Sequence, residues 1–435
     1  MNLNELTLKR ELVAKPSFED WLQGRSAQLL STNFGSEAIA FQNWRNFKEA
    51  FAPELIGQAF EETSKRLNRK AESCIDPFGG SGTTALACQF LGVSPTTIEV
   101  NPFLADLVEA KLCSYNVEQL IEDFTSVVEP PLRRVENPLP NLPPSFVEPG
   151  VKGRYIFSRE VASALHALRK RIFKLENAAN RRLMRVMLGA IALPVSNVVV
   201  SGKGRRYRKN WADREVSAQH VVQEFSDAVI RAIFDIRRYS DREYSGYRLL
   251  RGDARKLIPN DEKFDMCVFS PPYPNSFDYT DVYNVELWLC QYLKDFKGNR
   301  DLRMETLRSH VQVMRDFDAG ELKSSTLEGV CGQLCEIRSS LWSRSIPDMV
   351  RAYFGDMNTI LARLHSQIVP GGNVYMVVGD SQYSGVPVPV AKILEELSTS
   401  IGFQVTGAEP FRSMRASPQQ GGRKELLETL VTLSR

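Results

Sequence analysis

The chain has 435 residues, 55 Lys/Arg against 52 Asp/Glu, a formal net charge of +3 and 43% hydrophobic residues, the composition of an ordinary globular protein larger than one compact core. No apolar run approaches the roughly 20 residues that span a bilayer, and the opening MNLNELTLKRELV lacks the basic-then-apolar layout of a secretory signal, so a cytoplasmic protein is expected. Of seven cysteines only Cys331 and Cys335 lie close together, and the nearest histidine, His310, stands alone, so reduced thiols and no metal are expected.

After an N-terminal segment, 1–40, the stretch NFKEAFAPEL (46–55) reads as a helix start with Pro53 in the first turn. SCIDPF (73–78) reads as the first strand, and Thr83 to Leu91 as a helix with apolar residues three and four apart. Between them, Asp76-Pro77-Phe78-Gly79-Gly80-Ser81-Gly82-Thr83-Thr84 carries glycines that let a backbone turn tightly and approach a ligand. No Gly-Lys-Ser/Thr follows, which excludes a phosphate loop of the Walker type. TTIEVNP (96–102) is the second strand and ends on Glu99 and Asn101.

The stretch 113–245 breaks this rhythm, opening with a proline-rich linker (PPLRR, NPLPNLPPSFVEPG) and becoming helical and basic from Ser158. Between Val151 and Trp211 fifteen Lys/Arg stand against two acids, Glu160 and Glu176, so this part carries about +13 and the remainder about −10. That asymmetry suits a polyanionic partner held against one face. The segment SGKGRRYRKNW (201–211) reads as a loop in which Lys203, Arg205, Arg206, Arg208 and Lys209 meet phosphates or guanine edges and Tyr207 and Trp211 stack or wedge. Arg169, Lys170, Arg171, Arg181, Arg182 and Arg185, on helical spacing, are expected to line the same groove.

YRLLRGDA (247–254) and FDMCVFSPP (264–272) are the third and fourth strands. A second, mainly helical stretch follows, and NVYMVVGD (373–380), a helix from Val388 to Ile401, FQVTGAEPF (403–411) and ETLVTLSR (428–435) complete the chain. Strands alternating with helices imply a parallel, doubly wound α/β sheet, which binds ligands beyond its strand ends.

The loop Asp76 to Thr84, followed later by Gly252-Asp253-Ala254 and then Ser270-Pro271-Pro272-Tyr273 one strand on, resembles the amino-methyltransferases of DNA, whose motifs read DPFxGSGTT and [DSN]PP[YFW]. The resemblance implies a Rossmann-like class I methyltransferase fold with a mostly parallel seven-stranded sheet and two large, mainly helical insertions. The catalytic domain would comprise 41–112, 246–283 and 358–435, with 113–245 as the candidate target-recognition region and 284–357 as the second insertion. It implies S-adenosyl-L-methionine as cofactor, bordered by Asp76, Phe78, Gly79, Gly80, Ser81, Gly82 and Thr83. Glu99 with Asn101 would serve the ribose, Asp253 with Ala254 the adenine, and Phe51 and Pro53 the methionine end. One departure stands out: the family usually places its recognition domain after the third-strand motif or at the C-terminus, whereas here the large insertion precedes Gly252.

The catalytic residue types fit the chemistry. An exocyclic amino nitrogen is a poor nucleophile because its lone pair is delocalised, so an enzyme must orient it and receive its proton. Ser270 Oγ and the Pro271 carbonyl are expected to accept the two N–H bonds, Pro272 to carry the chain abruptly out of the sheet, and Tyr273 to stack on a base extruded from the duplex. No Pro-Cys pair for a covalent route is present in that context. The serine favours cytosine N4; adenine N6 is the alternative, followed by an RNA or protein N-methyltransferase and a non-catalytic binding protein. Double-stranded DNA is the expected partner, alongside which such enzymes admit a restriction nuclease or other defence-system component. Asn275 to Asp281 are candidates either for the pocket wall or for simple packing, and Asp380 and Ser381, at the end of the fifth strand, are weaker candidates to face the site.

Overall fold

The computed structural model describes residues 15–25, 27, 30, 38–45, 50–133, 135–201, 204–242, 246–274, 277–415 and 425–435. Helices α1 (Phe18–Leu22) and α2 (Glu54–Leu67) precede β1 (Ser73–Asp76), α3 (Thr83–Leu91), β2 (Ser94–Glu99) and α4 (Pro102–Leu112). Asn101 starts α4 by accepting from the Phe103 and Leu104 amides, with Pro102 preset for the first turn. The basic insertion forms α5 (Val117–Val128), α6 (Arg159–Ile172), α7 (Ala178–Ala192), a hairpin of β3 (Val198–Ser201) and β4 (Gly204–Tyr207), and α8 (Ala218–Arg238).

Then come β5 (Arg248–Arg251), α9 (Ala254–Leu257) and β6 (Phe264–Phe269). Helix α10 (Tyr279–Val282) continues the chain after the Ser270–Tyr273 loop, and the second insertion supplies α11 (Asn284–Leu289), α12 (Phe296–Glu305) and α13 (Ser325–Glu336). Its last helix, α14 (Ile346–Gln367), runs past residue 357 directly into β7 (Ile368–Gly379). The hairpin β8 (Ser381–Tyr383) and β9 (Val386–Val388), α15 (Val390–Ile401), β10 (Gln404–Arg415) and β11 (Glu425–Ser434) follow.

Seven strands form one sheet in the order β10-β11-β7-β6-β1-β2-β5. All neighbours are parallel except those of β11, which runs against both β7 and β10. This is the Rossmann-like, class I methyltransferase arrangement expected from the sequence. Alternation at period two builds its core: Cys74, Met266, Val268, Tyr375 and Val377 join one buried cluster, while Ile75, Cys267, Phe269, Val374 and Met376 join another. The cluster containing Cys74 extends through Phe103 and Leu107 of α4 to Leu165, Leu183 and Phe225, so the basic insertion shares a core with this sheet face rather than closing one of its own. The other face is covered by α14 and α15. Strand order reverses between β1 and β6, and such a switch opens a crevice beyond the carboxyl ends of the strands. No helix among the described residues is long and apolar enough to cross a membrane.

Candidate active site

In that crevice lies a cavity of about 340 Å³, within the usual range for small-molecule sites. Its walls bring together Phe51, Asp76, Phe78, Gly79, Gly80, Ser81, Thr83, Glu99, Asn101, Asp253 and Ala254 with Ser270, Pro271, Pro272 and Tyr273. Residues from the ends of β1, β2, β5 and β6, up to about 200 positions apart in the chain, thus share one space. Gly82 and Pro53 do not line it. Gly82 sits at φ +81 as the N-cap of α3, where a Cβ would stand 3.1 Å from Val108 Cγ2, so helix packing explains it. Pro53 is the N-cap of α2, with φ −56.

The loop is organised by one carboxylate. Glu99 accepts from the Gly80 amide through Oε2 and from the Asn101 amide through Oε1, each at 2.7 Å. A carboxylate offers about four acceptor positions over its two oxygens, so capacity beyond these amides is left for a ribose hydroxyl. Asn101 Oδ1 caps α4 while its Nδ2 is buried without a hydrogen-bond partner among the described residues, a donor that a nucleoside's oxygen or ring nitrogen would satisfy. The donor set therefore fits the nucleoside half of S-adenosyl-L-methionine. From beneath, the buried Lys111 donates to Ser81 O at 2.7 Å, and burial pushes its pKa down to about 7. Asp76 Oδ1 accepts from the Phe78 amide at 2.9 Å.

Burial raises both Asp76 and Glu99 to about 7, against the opposing pull of the amides that bond to them. A folded pKa above the unfolded one means the folded chain holds more protons, so these two groups lower stability as pH rises from the ordinary carboxylate range to about 7. A diol bonding to ionised Glu99 works the opposite way. Nucleoside affinity is expected to rise through about pH 7 and level off above it, with proton release on binding near pH 6. Calorimetry in two buffers of different ionisation enthalpy measures that release, and an equal heat in both for the wild type would contradict the role given to Glu99.

At the far end Asp253 is heavily engaged. It caps α9 by accepting from the Arg255 amide at 2.9 Å and pairs with the Arg255 guanidinium at 2.9 Å. Arg255 also reaches Asp356 of α14 at 3.0 Å, and Arg308 binds the same carboxylate at 2.8 Å. Arg255 and Arg308 thereby fix the segment after α12, and Leu302, Glu305, Thr306, Leu307, Ser309 and His310 close the cavity on this side. Asn275–Asp281, which continue the catalytic loop, are the sequence candidates for the pocket wall. Phe277 and Thr280 do line it, whereas Asn275 and Ser276 lie outside the described residues.

At the catalytic end, Tyr273 Oη donates to Glu428 Oε1 at 2.8 Å and stands 3.4 Å from Ser270 Oγ. Glu428 is buried, and its other oxygen accepts from Arg412 Nε at 2.6 Å. Both Glu428 and Arg412 line the cavity from the two closing strands, and neither carries a local signal beyond a glutamate opening an apolar run. Asp380 and Ser381, the weaker candidates for the site, do not line it. Asp380 Oδ1 instead accepts from Val390 N at the start of α15, and Ser381 is fully buried.

The basic insertion requires the largest correction. Most of its helical cations bond to the protein itself: Arg169 donates to Leu289 O, Arg171 to Val127 O, Arg181 to Leu175 O and Arg185 to Cys290 O, while Arg182 pairs with Glu109 at 3.1 Å. These cations tie helix ends and loops together rather than lining a groove. Residues 201–211 are not a plain loop, because Val198–Ser201 pairs with Gly204–Tyr207 in register Val199↔Arg206. Arg208 donates to Ser196 O and Leu193 O at 3.0 Å, locking the hairpin's base, and Tyr207 packs on Trp211 with centroids 5.0 Å apart. Arg205 lies over the Phe146 ring, and Arg206 and Lys209 are exposed. Lys203 lies outside the described residues. Strand β4 packs against α10, the helix that continues the Ser270–Tyr273 loop, so the hairpin stands beside the catalytic end. Among the described residues no group of three His, Cys, Asp or Glu side chains is gathered as a metal site requires.

No protein-family model matches the chain. It is 26% identical over 460 aligned residues to the Type II methyltransferase M.AvaI of Nostoc sp., covering 92% of this chain and 89% of that protein. The Type II methyltransferase M.BsoBI of Geobacillus stearothermophilus is 24% identical over 417 residues, covering 84% of this chain and 79% of that one. The Type II methyltransferase M.MjaII of Methanocaldococcus jannaschii matches only locally, 35% identical over 74 residues, 17% of this chain and 13% of that protein. The chain is thus similar along most of its length to Type II methyltransferases. Among solved structures, the glycopeptide N-methyltransferase MtfA, alone and complexed with S-adenosyl-L-methionine, superimposes with TM-scores of 0.26 and 0.27 at 11% and 9% identity. Each covers 87% of this chain, and 89% and 93% of MtfA, too loosely to argue from.

Proposed function

We propose that this chain methylates DNA at a specific site, transferring the methyl group of S-adenosyl-L-methionine to the exocyclic amino group of a base that has left the duplex, with cytosine N4 as the target. The observation that carries the reading is the joining, in one cavity at the sheet's switch point, of the Asp76–Thr84 loop and Glu99 with Ser270, Pro271, Pro272 and Tyr273. Similarity to Type II methyltransferases across most of the chain supports DNA as the substrate. When bound, the cofactor supplies an electrophilic methyl group. The chain's own residues orient the nucleophile: Ser270 Oγ and the Pro271 carbonyl take the two amino N–H bonds, and the Tyr273 ring, tethered by its hydroxyl, stacks on the base. The exposed Arg206 and Lys209 on the hairpin beside that end meet the DNA backbone. A restriction nuclease reading the same sequence is the partner we propose, in the cytoplasm where both would act.

Mass spectrometry of nucleosides from the DNA of cells expressing the protein tests the target base. N4-methylcytosine is expected. N6-methyladenine alone would move the target to adenine, and unmodified DNA would remove the reading.

A further inference from the structure

The contacts around Tyr273 have a direction. Glu428 is held by Arg412 at 2.6 Å as an acceptor-only carboxylate, so the 2.8 Å contact between Tyr273 Oη and Glu428 Oε1 has the phenol as donor. With its own proton committed, Tyr273 Oη can only accept from Ser270 Oγ, 3.4 Å away. The serine hydroxyl then points its proton toward the tyrosine and turns lone pairs to whatever enters the cavity. Glu428 is buried, while Arg412 on its far side is about one third exposed.

We propose that Ser270, Tyr273 and Glu428 form a proton relay, in which Glu428 is the final acceptor of the proton that the amino group loses. This inference rests on the amino-methyltransferase reading above. Methyl transfer leaves the amino nitrogen positively charged with one proton in excess. That proton passes to Ser270 Oγ as the serine proton passes to Tyr273 Oη and the phenolic proton passes to Glu428 Oε1. The product amine, the serine and the tyrosine end neutral, Glu428 ends as the carboxylic acid, and the proton leaves to solvent past Arg412. A serine hydroxyl alone is too weak a base to hold it, which is why the buried carboxylate matters. Glu428 touches Tyr273 rather than substrate, so it is a positioning residue in addition to the acceptor.

Positioning and proton acceptance separate in the conservative variant. Glu428→Gln keeps a carbonyl oxygen for Tyr273 but cannot take its proton. Its single-turnover methyl-transfer rate is expected to fall about 100-fold or more, within the range of general-base effects, and as far as that of Glu428→Ala. Tyr273→Phe, which keeps the ring and removes the hydroxyl, should fall with it. DNA and cofactor affinities should stay within about twofold in all three, which shows that they are folded. A readout independent of turnover is the ¹³Cζ resonance of Tyr273 in the protein alone, expected to move in Glu428→Ala. A Glu428→Gln or Tyr273→Phe variant with the wild-type rate, or an unmoved resonance, would overturn the relay alone. A wild type that binds cofactor and methylates no DNA amino group would overturn both the relay and the activity it serves.

Discussion

Gly80→Leu is expected to abolish measurable binding of S-adenosyl-L-methionine, and Asp76→Ala to weaken it by about 5- to 150-fold. Gly80 has φ +50, its amide bonds Glu99 at 2.7 Å, and it borders the cavity, so leucine adds four carbons to a lining residue in a left-handed conformation. Conformational strain alone costs roughly 1–3 kcal/mol. Displacing the amide would also free the Glu99 carboxylate that organises the loop. Asp76→Ala acts differently, by removing the acceptor of the Phe78 amide. An unpaired buried amide costs about 1–3 kcal/mol, or roughly 5- to 150-fold in any equilibrium that needs the loop intact. Gly80→Ala should fall between wild type and Gly80→Leu, because it carries the strain without the bulk. Calorimetry with the pure cofactor decides the matter: unchanged affinity in both Gly80→Leu and Asp76→Ala would dissociate the loop from the cofactor.

How far the site was legible depends on the range of the forces involved. Local rules fixed the glycine loop, its flanking strand and helix, and the strand alternation that puts Cys74 and Ile75 on opposite faces. Glu99 was marked by the family resemblance, whose acid at the end of the second strand takes the ribose, a chemistry shared with the carboxylate of dinucleotide folds. Glu428 was invisible for the opposite reason: it approaches Tyr273 only because β11 folds back antiparallel beside β7, 155 residues later. Lys111 carried no sequence signal of its own, yet it lies under the loop. The hairpin did leave a signal. Val198-Val199-Val200 followed by Ser201-Gly202-Lys203-Gly204 is a β-branched run ending in turn residues, and weighing it above the local charge would have given a strand. Charge counting failed in the helices because a cation's partner, a phosphate or a carbonyl of its own chain, is not written in the spacing of arginines.

That distinction divides the basic residues of the hairpin into two kinds with opposite expected phenotypes. Arg206 and Lys209 are exposed, and on the proposed reading replacing both by alanine removes two contacts to DNA phosphates. Each contact releases counterions, and the log–log salt dependence of binding should flatten by up to about two units in the double variant, with cofactor affinity and thermal stability unchanged. Arg208 is held by Ser196 O and Leu193 O, so Arg208→Ala should lower stability by about 1–3 kcal/mol through two lost charge-assisted bonds and shift the salt slope little. Tyr273→Ala forms a third class. Its ring matters only after the base has left the duplex, so duplex affinity and salt slope should be preserved while turnover falls below detection. Salt-titrated DNA binding, thermal unfolding and methyl-transfer rates on the same four proteins, wild type included, separate the three. If the Arg206 and Lys209 double variant keeps the wild-type slope, the hairpin does not carry the DNA. The neighbouring cations of the second insertion, such as the largely exposed Lys297 on α12, then become the surface to vary next.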